Sequence, residues 1–313
     1  MVQEYLVEIL MPTYNGERFI KEQIESIMQQ TYQNIRLIVR DDGSNDKTLE
    51  ILKEFSIRYT DKMVLVKDER GNLKTANSIM ALMDYAKAPY IMLADQDDIW
   101  FKEKIEILLT RIVKYEEKNG EIPLLVTSDS MLIDGAGMVF EKSFMRYGGL
   151  DAKRTSFSNL LQRNIVQGAA CIFNQQLLQI AKQKNLVKIY QDAWLAAVAA
   201  AFGKVYCIKV PLMYYRQYGG NVIGAKKRIS FIRWWTGTEA ERKRIASQYY
   251  LTVDLSLCRR IKIAYGAGLT EDKRKILDYY MEEPDNFLKF IQLGLWREYG
   301  MCENLLRFIL RTM

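Results

Sequence analysis

Asp95-Gln96-Asp97-Asp98 puts three carboxylates within four residues, directly after an apolar run at 90–94. Like charges that close repel, so a fold keeps them together only with compensation. A divalent cation is the simplest compensator, and oxygen ligands suit Mg²⁺ or Mn²⁺. An ion there could hold a diphosphate and neutralise it as a leaving group. A purely structural use is also open, with Asp95 and Asp98 capping the following helix. Two more polar clusters close apolar runs: Thr13-Tyr14-Asn15-Gly16-Glu17 after 5–11, and Arg40-Asp41-Asp42-Gly43-Ser44-Asn45-Asp46 after 35–39. Asp46 or Ser44 can cap a helix and Gly43 permits a turn. That leaves Asp41 and Asp42 to accept a pyrimidine imide N–H or ribose hydroxyls. Asn-Gly in the first cluster is a generic turn when taken alone.

The 313-residue chain has no histidine. Ser-His-Asp triads, Cys-His pairs, HExxH zinc sites and phosphohistidine relays are therefore excluded. Proton transfer near neutral pH falls to carboxylates, Tyr, Lys, Cys or water. Cys171, Cys207, Cys258 and Cys302 form no CxxC pair, and the first two sit in apolar runs as ordinary buried thiols.

The elements that must position these clusters alternate in type. Strand-like runs at 5–11, 35–39, 63–66 and 90–94 alternate with helical patterns at 17–29, 46–57 and 76–85. The expected class is α/β, a mostly parallel sheet covered by helices on both faces. Ligands of such sheets lie beyond the carboxyl ends of the strands, where all three clusters fall. After Pro123 the pattern predicts long strands at 124–134 and 164–173, a helix at 192–202, and a short strand pair at 205–208 and 211–216. Everything beyond Ala225 reads as helical, with breaks at 266–268 and Pro284.

Charge is uneven. Residues 225–313 carry 17 of the 45 basic but only 11 of the 38 acidic side chains. Lys226-Lys227-Arg228-Ile229-Ser230-Phe231-Ile232-Arg233-Trp234-Trp235 interleaves cations with large apolar groups, which suits an anionic membrane surface. Packing on the catalytic domain, or on a twin subunit in a homo-oligomer, is the alternative. No nucleic-acid motif accompanies the charge. The amino terminus lacks a signal-peptide pattern, and the longest apolar run, 193–202, falls short of the ~20 residues that span a bilayer. The expectation is a cytoplasmic protein, peripheral at most on the inner face of a bacterial membrane.

The segment MPTYNGERFIKEQIESIMQQTYQNIRLIVRDDGSNDKT, followed by ADQDDIW, resembles the glycosyltransferase family 2 catalytic domain, with its GT-A fold. Within it, NIVQGAACIFN, QDAWLAAVAAAFGKV and PLMYYRQYGGNVIG are similar to segments of bacterial rhamnosyltransferases of cell-surface polysaccharide synthesis. The resemblance covers about residues 4–224 and implies a catalytic domain at 1–224 with a C-terminal α-helical appendage at 225–313. It implies an inverting transfer from a nucleotide-diphospho-sugar, dTDP-β-L-rhamnose above others, onto a saccharide or lipid-linked acceptor. A UDP-hexose donor, or a catalytically weak sugar-nucleotide-binding scaffold, are the alternatives.

Carried onto this chain, the resemblance places Thr13, Tyr14, Asn15 and Glu17 with Asp41 and Asp42 around the nucleoside. Lys74 and Asn77 would lie near the base or diphosphate, Asp95 with Gln96 by the ribose, and Arg216 near the diphosphate. Asp97 and Asp98 would bind Mg²⁺ or Mn²⁺. Asp192 takes the place of the catalytic base, with Trp100, Gln167, Gly168 and Trp194 lining the sugar or acceptor site. The chain departs from the pattern at Gln191 and Tyr218, where these rhamnosyltransferases usually carry histidine, and at Ala193, where they carry tryptophan.

Overall fold

A computed structural model describes residues 5–68, 70–182, 190–219, 224–228, 236–248 and 253–282. The strands are β1 (Val7–Thr13), β2 (Ile35–Asp41), β3 (Met63–Val66), β4 (Tyr90–Leu93), β5 (Ile99–Trp100), β6 (Leu124–Asp134), β7 (Val139–Glu141), β8 (Cys171–Asn174) and β9 (Lys204–Gln217). They form one sheet in the order β3-β2-β1-β4-β8-β6-β9-β5, with β7 on the far part of β6. β3, β2, β1 and β4 are mutually parallel, β8 runs against β4 and β6, and β6 and β9 are parallel. Because β1, β2 and β4 all run the same way, their carboxyl ends bring the three polar clusters to one edge.

Both faces of the sheet are buried, which is why its central strands read as unbroken apolar runs. Ile9, Met11, Leu37 and Val39 face α1 (Ile20–Met28), α2 (Thr48–Arg58) and α4 (Lys104–Asn119), meeting Ile24, Leu52, Phe55 and Leu108. Leu10, Ile38 and Leu93 face the other way, toward α3 (Lys74–Met83) and α8 (Gln191–Phe202). While α5 (Phe144–Gly148) lies outside it, that second core continues into α6 (Phe157–Gln162), α7 (Gln175–Ala181) and the carboxyl-terminal helices. Of those, α9 spans Glu239–Gln248, α10 Leu255–Tyr265 and α11 Glu271–Glu282. Tyr265 of α10 stacks on Trp194 at 5.7 Å and meets Phe202 edge-on at 5.2 Å. No helix among the described residues is long and apolar enough to cross a membrane.

Three expectations need correction. The strand expected at 164–173 shrinks to Cys171–Asn174. The Asn164 side chain bonds both the N–H and the carbonyl of Val166 at 2.9 Å, and Gly168–Ala170 coils into a 3₁₀ turn. Local side-chain bonding of this kind competes with a ladder. The two short strands at 205–208 and 211–216 are one strand, β9, which pairs along β6 rather than folding on itself. A register shift at Pro211 absorbs the residue that has no N–H to give. The helix after the acid cluster is not capped by Asp95 or Asp98: α4 starts at Lys104 behind Glu103, its buried stripe being Lys104, Ile105, Leu108, Leu109 and Ile112. The basic stretch at 229–235, the glycine-flanked residues 220–223, Pro284 and Cys302 lie outside the described residues.

Candidate active site

The first two clusters interlock. Asn15 is held at φ +47, its N–H donates to Ser44 Oγ at 2.9 Å, and its Oδ1 accepts the Asn45 N–H at 2.8 Å. Glu17 Oε2 accepts the Lys47 N–H at 2.9 Å, while the Glu17 N–H donates to Asp46 at 3.1 Å. Buried Thr13 donates to Asp41 Oδ1 at 3.0 Å, and Asp41 also accepts the Ser44 hydroxyl and N–H at 2.6 and 2.9 Å. Two turns that would each be loose alone thus form one rigid rim.

Asp42 turns the other way. Its carboxylate accepts the N–H groups of Leu73 and Lys74 at 2.8 and 2.9 Å and pairs with the buried Arg40 guanidinium. Arg40 in turn holds Asp68 at 2.9 and 3.0 Å, the Gly71 carbonyl at 2.6 Å and Ser78 at 3.1 Å. The Arg40 and Arg70 partners hold the Asp68 carboxyl well below the usual range. Lys74, at φ +65, opens α3 on this anchor, with Asn77 on the same first turn. Of Asp41 and Asp42, either of which was expected to hold the nucleoside, Asp42 fixes the loop that carries Lys74.

The acid turn follows β4. Gln96 exchanges two hydrogen bonds with the Tyr14 backbone at 2.8 and 2.9 Å. Asp98 is fully buried: Oδ1 accepts the Arg216 N–H at 3.2 Å, while Oδ2 has no hydrogen-bond partner among the described residues. Burial, joined by the charges of Asp97 and Asp95, lifts the Asp98 carboxyl well above its ordinary range. Asp95 is raised by burial and then by Asp97 and Asp192. Asp97 is also raised by burial, against the opposing hydrogen bond of Tyr218. Arg216, expected by the diphosphate, donates from Nε to the Asp97 carbonyl at 2.9 Å, pairs with Glu22, and lies over Phe19 at 4.5 Å. It braces the turn from behind.

This cluster fits a shared ion better than a caged one. Among the described residues no three acidic or cysteine side chains converge on a point. Mg²⁺ is usually held by one or two carboxylates and completed by substrate phosphates and water. A buried, unpartnered carboxylate oxygen on Asp98 beside Asp97 suits that mode.

Asp192 begins α8 and meets the cluster from the other side. A Cβ placed on Gly168 would sit 3.6 Å from both Asp192 Cβ and Leu93 Cδ1, so Asp192 lies against the end of β4. Burial raises its carboxyl to about 6, opposed by the Ala193 N–H and by a hydrogen bond from Asn164. Gln167, one residue earlier, accepts the Ser130 hydroxyl at 2.5 Å. Trp194, expected beside the acceptor, is a correction: it is wholly buried and its indole donates to the Ala181 carbonyl at 2.9 Å. α8 is apolar nearly all round, so Trp194, two positions after Asp192, turns into the core. Trp100 is 3% exposed, with the Lys104 ammonium 3.7 Å above its ring.

Lys104 itself is a residue the sequence reading missed. It is fully buried, donates to the Ala169 carbonyl at 2.5 Å, and has its pKa lowered to about 7 by burial, against the pull of Asp98, Cys171 and Asp95. Its signal was available: Lys104 shares a helical face with Ile105 and Leu108. A cation on an apolar stripe beside an acid cluster marks a charge partner.

Residues 8–119, which contain β1 from its second residue, β2 to β4 and all three clusters, match the model of Glycosyl transferase family 2. Over this stretch the chain is similar to family 2 glycosyltransferases, and the chain is a glycosyltransferase. It is 24% identical over 287 residues to "Glycosyltransferase GlyG" of Streptococcus pneumoniae, covering 88% of this chain and 90% of that one. A shorter stretch of 99 residues is 37% identical to "dTDP-rhamnosyl transferase RfbG" of Shigella flexneri, 31% of this chain and 34% of that protein. Among solved structures, S. aureus TarS 1-349 in complex with UDP-GlcNAc superposes with a TM-score of 0.55 at 14% identity, covering 96% of this chain and 89% of that one. Mannosyltransferase PcManGT from Pyrobaculum calidifontis, in complex with GDP-Man and Mn²⁺, gives 0.52 at 17%, covering 96% and 77%. The likeness to these structures shows a GT-A fold for this chain.

Proposed function

We propose that this glycosyltransferase moves a sugar from a nucleotide-diphospho-sugar to a saccharide or lipid-linked acceptor with inversion at the anomeric carbon. The observation that carries the reading is Asp192, a recessed carboxylate with a pKa raised to about 6, set against the end of β4 opposite the acid turn. In one displacement the acceptor oxygen bonds to the anomeric carbon while the bond from that carbon to the diphosphate oxygen breaks. The bonding pair leaves with the diphosphate, and the acceptor proton passes to Asp192. No covalent sugar–enzyme intermediate is needed. The rim of Thr13 to Glu17 and Asp41 would hold the nucleoside, and Lys74, carried on the Asp42 anchor, would reach the base or diphosphate. Asp97 and Asp98 would hold Mg²⁺ or Mn²⁺, which when bound neutralises charge on the departing diphosphate.

The favoured donor is dTDP-β-L-rhamnose, giving an α-rhamnosidic bond in bacterial cell-surface polysaccharide. The later motifs and the match to a protein named as a dTDP-rhamnosyl transferase support it. A UDP-hexose donor is the second reading, supported by the fold neighbour bound to UDP-GlcNAc. A thermal-shift panel of dTDP, UDP and GDP with Mn²⁺, then of the matching sugar nucleotides, separates them: dTDP should give the largest shift. A larger shift with UDP would favour the second reading. Donor hydrolysis with and without Mn²⁺ separates an enzyme from a sugar-nucleotide-binding scaffold. The basic residues after Ala225 suit peripheral attachment to an anionic membrane from the cytoplasmic side, where lipid-linked acceptors are presented.

A further inference from the structure

β6 and β7 form a hairpin at the margin of the sheet, and β7 pairs with β6 alone among the described strands. Met138, Val139 and Phe140 follow one another on it and are 68%, 45% and 50% exposed. Three consecutive large apolar side chains in water are unusual for a surface that meets only solvent. The Phe140 ring lies 6.1 Å from Tyr147 of α5, whose carbonyl accepts the Arg228 N–H at 2.7 Å. The Arg228 side chain packs over Gly149, and the Lys226 carbonyl approaches Gly148. This brings the exposed cations Lys226, Lys227 and Arg228 beside the hairpin, together with exposed Lys142 and Arg146. Of the acids on the hairpin, Glu141 pairs with Arg146, and Asp134 accepts the N–H groups of Ala136 and Met138 at 2.9 Å.

The hairpin turn is also joined to the active site. The Gly135 carbonyl accepts Arg18 Nη2 at 3.2 Å, and a Cβ on Gly135 would lie 3.6 Å from Tyr218 Cβ. A Cβ on Gly137 would lie 3.8 Å from Arg216 Nη1. Apolar side chains ringed by cations fit an anionic bilayer, the apolar groups entering the acyl boundary and the cations meeting headgroups.

We propose that the Met138–Val139–Phe140 hairpin tip inserts into an anionic membrane surface, with Lys226, Lys227 and Arg228 on the headgroups, docking the site's mouth on the bilayer. It rests on the reading that this chain works at a membrane, and not on which sugar it transfers. The test is sedimentation of the full chain with phosphatidylglycerol-containing and pure phosphatidylcholine vesicles. Wild type should sediment with the anionic vesicles only. The double variant Met138→Ser with Phe140→Ser should bind about tenfold more weakly or worse, with unchanged unfolding midpoint and donor hydrolysis. Phe140→Trp supplies a second readout, a blue shift of its emission on adding anionic vesicles. Wild type that ignores anionic vesicles would end the membrane reading itself. Wild-type-like binding by the double variant, with no blue shift in Phe140→Trp, would end the hairpin proposal and leave attachment to the tail. A dimer dissolved by the same substitutions, without vesicle binding, would assign the patch to a second copy of the chain and overturn the proposal.

Discussion

Gln96 and Tyr14 clasp one another: the Tyr14 N–H donates to Gln96 Oε1 at 2.8 Å, and Gln96 Nε2 donates to the Tyr14 carbonyl at 2.9 Å. The pair ties the turn after β1 to the acid turn after β4, across 82 residues of sequence. Gly16 lets it close, since a Cβ there would stand 2.5 Å from Gln96 Oε1. Gln96→Ala should raise the donor KM about tenfold while kcat changes less than about threefold, because two hydrogen bonds of ~1 kcal/mol are lost from positioning alone. Gly16→Ala should do the same by pushing Gln96 aside. Steady-state kinetics decides it; a fall confined to kcat would place Gln96 in the chemistry instead.

Asp42 is an anchor before it is anything else. It accepts two backbone N–H groups and pairs with a buried arginine. Asp42→Ala strands those donors and a buried cation, and should cost about 3–5 kcal/mol in urea unfolding. Asp41→Ala, whose carboxylate serves a more exposed rim, should cost less stability for an equal or larger loss of donor affinity. Equal stability losses in the two variants would contradict this division.

The raised Asp192 carboxyl sets a pH dependence. A base works when deprotonated, so kcat/KM should fall below about pH 6, losing tenfold per pH unit in the limit. The stability effect has the opposite sign. The folded pKa lies above the ordinary carboxylate value of about 3.9, so ionised Asp192 destabilises the fold, and that penalty grows from about pH 4 to 6 and is constant above. Asp192→Asn should therefore be no less stable than wild type at pH 7.5, and up to about 3 kcal/mol more stable if the full penalty is relieved. Calorimetry at two pH values checks it.

Metal binding should need the nucleotide. With Asp97 and Asp98 supplying few ligands, Mn²⁺ alone should bind weakly, and a nucleoside diphosphate should tighten it at least tenfold in calorimetric titration. Asp97→Asn should remove that synergy while leaving the unfolding midpoint unchanged or higher, since a carboxyl raised by burial is relieved. Tight Mn²⁺ binding without nucleotide would point to ligands beyond these two.

Much of the fold was legible because β1, β2 and β4 are largely buried on both faces and end in turn-forming residues, so apolar runs and punctuation mark both ends of each strand. Their carboxyl ends gather the three clusters as the alternation required. Less legible was anything set by distant partners. Asn164 forgoes a strand to bond its own neighbour's backbone and to reach Asp192. β9 is continuous because β6 guides it past Pro211. Trp194 stands on a helix with no polar face, so nothing local shows which way it turns. Lys104 lay in view on an apolar stripe, yet its partners come from Ala169 and the acid turn, far off in sequence. The proposed chemistry asks only for carboxylates and needs no histidine; Tyr218, where the rhamnosyltransferases this chain resembles usually carry histidine, hydrogen-bonds Asp97.

The central claim is that Asp192 takes the acceptor's proton. Single-turnover transfer by Asp192→Asn, measured beside calorimetric donor binding and the unfolding midpoint, tests it most directly. The account predicts a rate lower by roughly 10²–10⁴, with donor affinity within about twofold and no loss of stability. Transfer at near wild-type rate would contradict it.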